Sequence, residues 1–196
     1  MKTIFILAGF GVHNDASHSE HSFLLDGLKN KGYDVIPVTI SWLRKTPSQY
    51  TKEFIDFFMA NKSDYNIVIG NSFGAVIAAL SAPSIKPDEI YLCSLSPFFK
   101  EDKHFRPDSY WIRHFGKRRL NDLRSTSFTE LAEQIKKSDV KTTVIHGDKE
   151  YKTSPPLVRR CEDASQRISG TKPVVFKNTP HNMSDSNYAK QLINLF

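Results

Sequence analysis

The stretch Asn66-Ile67-Val68-Ile69-Gly70-Asn71-Ser72-Phe73-Gly74-Ala75-Val76-Ile77-Ala78-Ala79 changes character at its middle. Ile67, Val68 and Ile69 are apolar and β-branched, which suits a strand buried on both faces. From Phe73 to Ser81 the residues are small and apolar, as in a helix packed inside an α/β layer. Between them lies Gly70-Asn71-Ser72-Phe73-Gly74, a Gly-x-Ser-x-Gly turn. A serine on a tight strand-to-helix turn projects its hydroxyl above the sheet. Gly70 and Gly74 lack side chains because neighbouring backbone crowds such a turn, and the following helix aims its N–H groups at the serine. Five residues with three small ones fixed recur by chance; strand before and helix after lift this match above that level.

The same alternation runs through the whole chain. Strand candidates are Thr3–Ala8, Asp34–Ile40, Asn66–Gly70, Glu89–Leu95, Thr142–His146 and Pro173–Lys177. Helices with legible ends lie between them. Ser17-His18-Ser19-Glu20 and Ser127-Phe128-Thr129-Glu130 read as capping boxes. Pro47 precedes Phe54, Ile55, Phe57, Phe58 and Met59 at helical spacing, Ser154-Pro155-Pro156 opens a helix, and Asp185 caps the last, which runs to Phe196. Strand-helix alternation predicts a doubly wound α/β fold with a mostly parallel sheet of about six strands. Ligands in such sheets bind beyond the carboxyl ends of the strands, so the chemistry belongs to residues that follow strands.

Composition narrows the classes. The 196 residues are 39% hydrophobic and include 14 Phe, too apolar for a disordered chain and of a usual length for one domain, 1–196. No apolar run approaches the roughly 18 residues of a membrane-spanning helix, so no stable membrane insertion is expected. Met1-Lys2 and the apolar run after it read as a first strand, not a secretory signal, because one charge precedes the run and no small-residue cleavage site follows. Cys93 and Cys161 are too few for a disulfide framework or a four-thiolate metal site and suit two buried thiols in a cytoplasm.

One segment breaks the rhythm. Residues 97–124 hold no strand and mix Phe98, Phe99, Phe105, Tyr110, Trp111 and Phe115 with basic residues, which reads as a lid. In residues 100–124 eight Lys and Arg face four acids, accounting for most of the net charge of +6. That excess suits a solvated lid face or attraction of an anionic substrate; without a recognition motif it gives no nucleic-acid partner.

A serine nucleophile needs a base, and the base an orienting acid. His181 follows the last strand candidate, and Asp148 and Glu150 follow the one before it. Each member thus falls on a loop after a strand, in the chain order Ser, acid, His. His13, His104, His114 and His146 read as packing or rim residues, and His18 and His21, one helical turn apart, lack the partners of a metal site; no metal is expected.

Taken together, these motifs resemble the α/β-hydrolase family, in particular its small esterase-like members, over nearly the whole chain. Six strands are fewer than the family's usual eight, a minimal version without the antiparallel N-terminal strands. The resemblance implies an oxyanion hole from the amides of Phe10 and Phe73. The first loop reads Ala8-Gly9-Phe10-Gly11, with Ala8 where the family often has His. It also implies an acid three residues after the glycine ending its strand, which lands on Glu150; Asp148, the more usual residue type, stays as the alternative. Phe98, Phe99 and Trp111 become candidates for the substrate side of the lid. The expected activity is hydrolysis of a short or medium acyl ester through a Ser72 acyl-enzyme, on a small-molecule substrate and without a cofactor. Thioesterase or acyltransferase activity, or a non-catalytic small-ligand-binding module, are the alternatives.

Overall fold

The computed structural model describes residues 2–10, 21–39, 45–105 and 109–196, without the side chains of 109–111. Among them are six strands: β1 Lys2–Leu7, β2 Asp34–Val38, β3 Tyr65–Asn71, β4 Glu89–Cys93, β5 Lys141–Gly147 and β6 Val174–Phe176. The helices are α1 Ser22–Asn30, α2 Pro47–Asn61, α3 Phe73–Ile85, α4 Ser109–Phe115, α5 Lys117–Ser125, α6 Phe128–Lys137, α7 Glu150–Thr153, α8 Pro155–Ser169 and α9 Ser186–Ile193. All six strands pair in parallel, in the order β2-β1-β3-β4-β5-β6.

The apolar runs explain this sheet. Ile4, Phe5, Ile6 and Leu7 are all buried, so β1 has both faces covered. Phe5 and Leu7 belong to an apolar cluster with α2 and α3 that continues to α6 and α8, while Ile4 and Ile6 belong to a second cluster with α1 and α9 on the opposite face. The chain leaves β1 for β2 on one side and returns to β3 on the other. Order therefore reverses at the β1/β3 boundary, and a crevice opens at their carboxyl ends. Gly9 and Ser72 both lie there.

Helix ends follow short polar side chains. Asp185 accepts from the Asn187 and Tyr188 amides at 3.0 and 3.1 Å, capping α9, which stops at Ile193 short of the expected Phe196. Ser127 accepts the Glu130 amide at 3.3 Å, and Glu101 reaches in to take the Phe128 and Thr129 amides at 2.8 and 3.1 Å. A carboxylate at the positive end of a helix is favourable, and here it ties a distant segment to α6. Thr46 with Gln49 forms a capping box on α2. The capping box expected at 17–20 lies outside the described residues.

The segment without strands is mostly helical. After β4 come a 3-10 turn, Lys100–His104, then α4 and α5. Buried Asp102 pairs with buried Arg160 on α8, whose guanidinium also lies 4.4 Å from the Phe128 ring centre. Asp122 on α5 accepts from the Ser48 amide and hydroxyl at the head of α2. Two basic residues of the segment are spent on backbone carbonyls: Arg119 donates to those of Lys45 and Phe115, and Arg124 to that of Phe105.

Candidate active site

Ser72 has φ 54° and ψ −115°, a left-handed conformation that L-residues adopt only where surroundings enforce it. The enforcement is visible on both sides. Its amide donates to the Cys93 carbonyl at 2.8 Å, and its carbonyl accepts the Ala75 and Val76 amides as α3 begins. A Cβ on Gly74 would lie 2.2 Å from the Leu7 carbonyl oxygen, and one on Gly70 2.5 Å from the Gly74 carbonyl oxygen. Both glycines are thus required by contact with backbone, as the turn pattern predicts.

His181 arrives from the far edge of the sheet. After β6 the chain turns at Asn178, φ 57°, and buries the Thr179 hydroxyl on the Phe176 carbonyl at 3.0 Å. The Asp148 carboxylate accepts the Thr179 amide at 3.3 Å, and the Lys149 amide donates to the Thr179 carbonyl at 3.2 Å. So anchored, His181 places Nε2 3.1 Å from Ser72 Oγ and Nδ1 3.1 Å from Glu150 Oε2. A carboxylate beside Nδ1 holds the proton there and leaves Nε2 to accept from Ser72.

Glu150 begins α7, and its side chain is fully buried. Oε1 accepts the Gly147 amide at 2.8 Å and the Ser94 hydroxyl at 2.7 Å. Burial pushes its carboxyl up, but the hydrogen bonds from His181, Gly147 and Ser94 outweigh burial and hold it below the usual range. Of the two carboxylates after β5, Glu150 is the one hydrogen-bonded to His181. Asp148 serves the histidine loop instead, its carboxyl held low chiefly by the backbone amides of Asn178 and Thr179.

Phe73 is the first residue of α3, and Phe10 closes the turn after β1. Their rings meet edge to face at 6.0 Å. A Cβ on Gly9 would lie 3.2 Å from that of Ser72, so the first loop rests directly on the elbow. The structure thus brings both proposed oxyanion residues beside Ser72.

A cavity of about 330 Å³ opens over Ser72 and His181. Phe73, Pro97, Phe98, Phe105, Pro156 and Leu157 supply its apolar wall, and Ser96, Thr153 and Ser154 its hydroxyls. Phe98 is where the lid reading puts it, stacked on Phe73 at 5.2 Å. Phe99 is not: it is buried 5.0 Å from Phe128 and 5.7 Å from the Arg160 guanidinium. Phe99 is in extended conformation, so successive side chains point to opposite sides and only one of the pair reaches the cavity. The Trp111 side chain, Gly11, His13 and His18 lie outside the described residues. His21 is buried, with Nδ1 2.9 Å from Ser184 Oγ.

Two site residues escaped the sequence reading. Ser96 Oγ lies 3.1 Å from Ser72 Oγ, and Ser94 holds Glu150. Both follow β4, where the carboxyl-end rule points, but neither belongs to a recognisable motif.

No protein-family model and no curated protein matches the chain. Solved structures do. A bromoperoxidase from Bacillus anthracis superposes with a TM-score of 0.74 at 13% identity, covering 99% of this chain and 90% of that one. The thioesterase domain from the curacin biosynthetic pathway gives 0.70 at 15%, with 99% and 90% covered. An α/β hydrolase from the metagenome of lagoon sediments at Mar Chica, Morocco, gives 0.68 at 18%, with 99% and 88% covered. At such identities the likeness is one of fold, and it extends over the whole chain: this protein has the α/β-hydrolase fold, in a minimal form with six parallel strands.

Proposed function

We propose that the chain is a serine hydrolase of carboxylic esters with short or medium acyl groups. The observation that carries this reading is the continuous hydrogen-bonded path from Ser72 through His181 to Glu150 at the mouth of an apolar cavity. Ser72 Oγ attacks the ester carbonyl while its proton passes to His181 Nε2, and the imidazolium is stabilised by Glu150. The amides of Phe10 and Phe73 receive the oxyanion. Collapse expels the alcohol, which takes the proton from Nε2. Water, deprotonated by the same nitrogen, then attacks the acyl-enzyme, and Ser72 leaves with its proton restored. Every bond made or broken is accounted for by the ester, water and these side chains.

Thioesters would pass through the same steps with a thiol as leaving group, and the fold shared with a thioesterase domain puts them on the substrate panel. A binding module has no use for a nucleophile in strained backbone held against a base and an acid. The reading includes a cytoplasmic site of action, supported by the buried, unpaired Cys93 and Cys161; burial pushes the Cys93 thiol up to about 12. The test is a fluorophosphonate probe, which should label Ser72 stoichiometrically, with S72A abolishing both labelling and ester turnover. Labelling of another serine with Ser72 untouched would overturn the assignment.

A further inference from the structure

We infer that Ser94 is a positioning residue of this site, acting through Glu150 to aim His181; the inference rests on the serine-hydrolase reading. Three observations meet at Ser94. Its hydroxyl donates to Glu150 Oε1 at 2.7 Å, it is fully buried, and its φ is 53°, a region that serine rarely visits. The positive φ would be disfavoured at an ordinary strand end. Here the Ser94 amide donates to the Ile145 carbonyl at 2.7 Å, which fixes the left-handed turn after β4 and directs the hydroxyl across to the end of β5.

The need for such a donor follows from the acid's chemistry. Glutamate is one methylene longer than aspartate and has one more torsion to immobilise, and the torsion of its carboxylate is broad and poorly self-determined. Oε2 must stay in line with His181 Nδ1, so Oε1 has to be held from elsewhere. The Gly147 amide supplies one hold, and it comes from the backbone. Ser94 supplies the second, and it is the one that depends on a side chain. With both in place the carboxylate cannot turn about its axis without breaking two hydrogen bonds in a site closed to water. With Ser94 removed, Oε1 keeps a single donor and the plane of the carboxylate is free to rock. The imidazole then loses its fixed orientation, with no loss of substrate contact.

The decisive experiment compares S94A and S94G with the wild type, alone and in an E150A background. Loss of a hydrogen bond to a charged group predicts a fall in kcat on the order of tenfold to a hundredfold, with KM nearly unchanged. S94G relieves the left-handed backbone as S94A does not, so both should lose the same activity whatever their melting temperatures. In E150A, which has no oxygen for Ser94 to hold, the S94A substitution should add less than about twofold, because its route of action is gone. Full activity in S94G, a change confined to KM, or an undiminished S94A effect in E150A would each overturn the proposal. A second readout does not depend on turnover: the downfield Nδ1 proton of His181 in the NMR spectrum should broaden or shift in S94A but persist in S72A. An unchanged resonance in S94A would overturn the positioning role, whereas absence of Ser72 labelling in the wild type would overturn the hydrolase reading alone.

Discussion

Ser96 Oγ lies 3.1 Å from Ser72 Oγ, so the candidate nucleophile has a second hydroxyl beside it in addition to the imidazole. If Ser96 donates to Ser72, the Ser72 proton is left to point at His181 Nε2, the direction in which it must leave. S96A should therefore slow fluorophosphonate labelling about two- to tenfold, the range of a neutral hydrogen bond. Labelling rates of the two proteins at one pH check this; faster labelling of S96A would mean that Ser96 restrains the nucleophile.

The two carboxylates after β5 should separate cleanly in kinetics. E150Q removes the charge beside the imidazolium and favours the wrong tautomer, so kcat should fall by roughly three to four orders of magnitude. D148N keeps a side chain able to accept the Thr179 amide and should lose less than about tenfold. Steady-state turnover of one activated ester by both variants decides it. The opposite ranking would hand the acid's role to Asp148.

Acid stability should depend on Glu101. Its partial burial pushes the carboxyl up, but the Phe128 and Thr129 amides and the Ser127 hydroxyl prevail and lower it from 4.5 to about 2. A group depressed in the folded state stabilises above its unfolded value and loses that contribution as pH falls through the folded one. Glu101 should thus contribute fully above about pH 4.5 and progressively less toward pH 2. E101Q should melt lower than the wild type at pH 7 and decline less steeply between pH 4.5 and pH 2. Parallel declines in thermal melts over that range would contradict the helix-capping role.

The sheet was legible because both-face burial leaves continuous apolar runs. Ile4 to Leu7 and Ile67 to Ile69 read as strands for the same reason that they are central in the sheet. The Ser72 turn was legible because its glycines answer to backbone contacts that no other residue satisfies. Ser94 and Ser96 were not, because their roles arise from a left-handed turn and from proximity across strands, neither of which has a local pattern. Phe98 and Phe99 show the same limit at finer grain: adjacent, chemically identical residues divide between cavity and core. What decides between them is the local backbone direction, which sequence-level composition does not carry.

Gly74 offers a sharp steric test of the elbow. A Cβ there would meet the carbonyl oxygens of Leu7 and Ala8 at 2.2 and 2.5 Å, backbone of β1 and of the loop after it. The Leu7 carbonyl cannot move without disturbing the β1 pairing, so G74A should destabilise by more than about 3 kcal/mol or fail to fold. G9A meets the Ser72 Cβ at 3.2 Å and Asn71 oxygens at ordinary contact distances of 3.5 and 3.6 Å, and should fold, while displacing the loop that carries the Phe10 amide. Chemical denaturation of both, with labelling of G9A, checks the pair; a G74A protein as stable as the wild type would refute the crowding argument.

The cavity should set the acyl preference. Its volume of about 330 Å³ lies near the lower end for ligand pockets, and its wall of Phe73, Phe98, Phe105 and Leu157 is apolar. Each methylene buried in the transition state adds up to roughly 0.8 kcal/mol, about fourfold in kcat/KM, until the space is full. Across p-nitrophenyl esters from acetate to palmitate, kcat/KM should rise, peak at a short or medium chain and then fall. Leu157 is buried against the core as well as lining the cavity, so L157A should lower stability by about 2–5 kcal/mol and move the peak to a longer chain. The shift of the peak, not the loss of stability, is the diagnostic part, because a purely structural effect lowers all esters together. A profile still climbing at palmitate would place the acyl chain outside this cavity. A near-zero response to every ester, with Ser72 still labelled by the fluorophosphonate, would move the leaving group from alcohol to thiol.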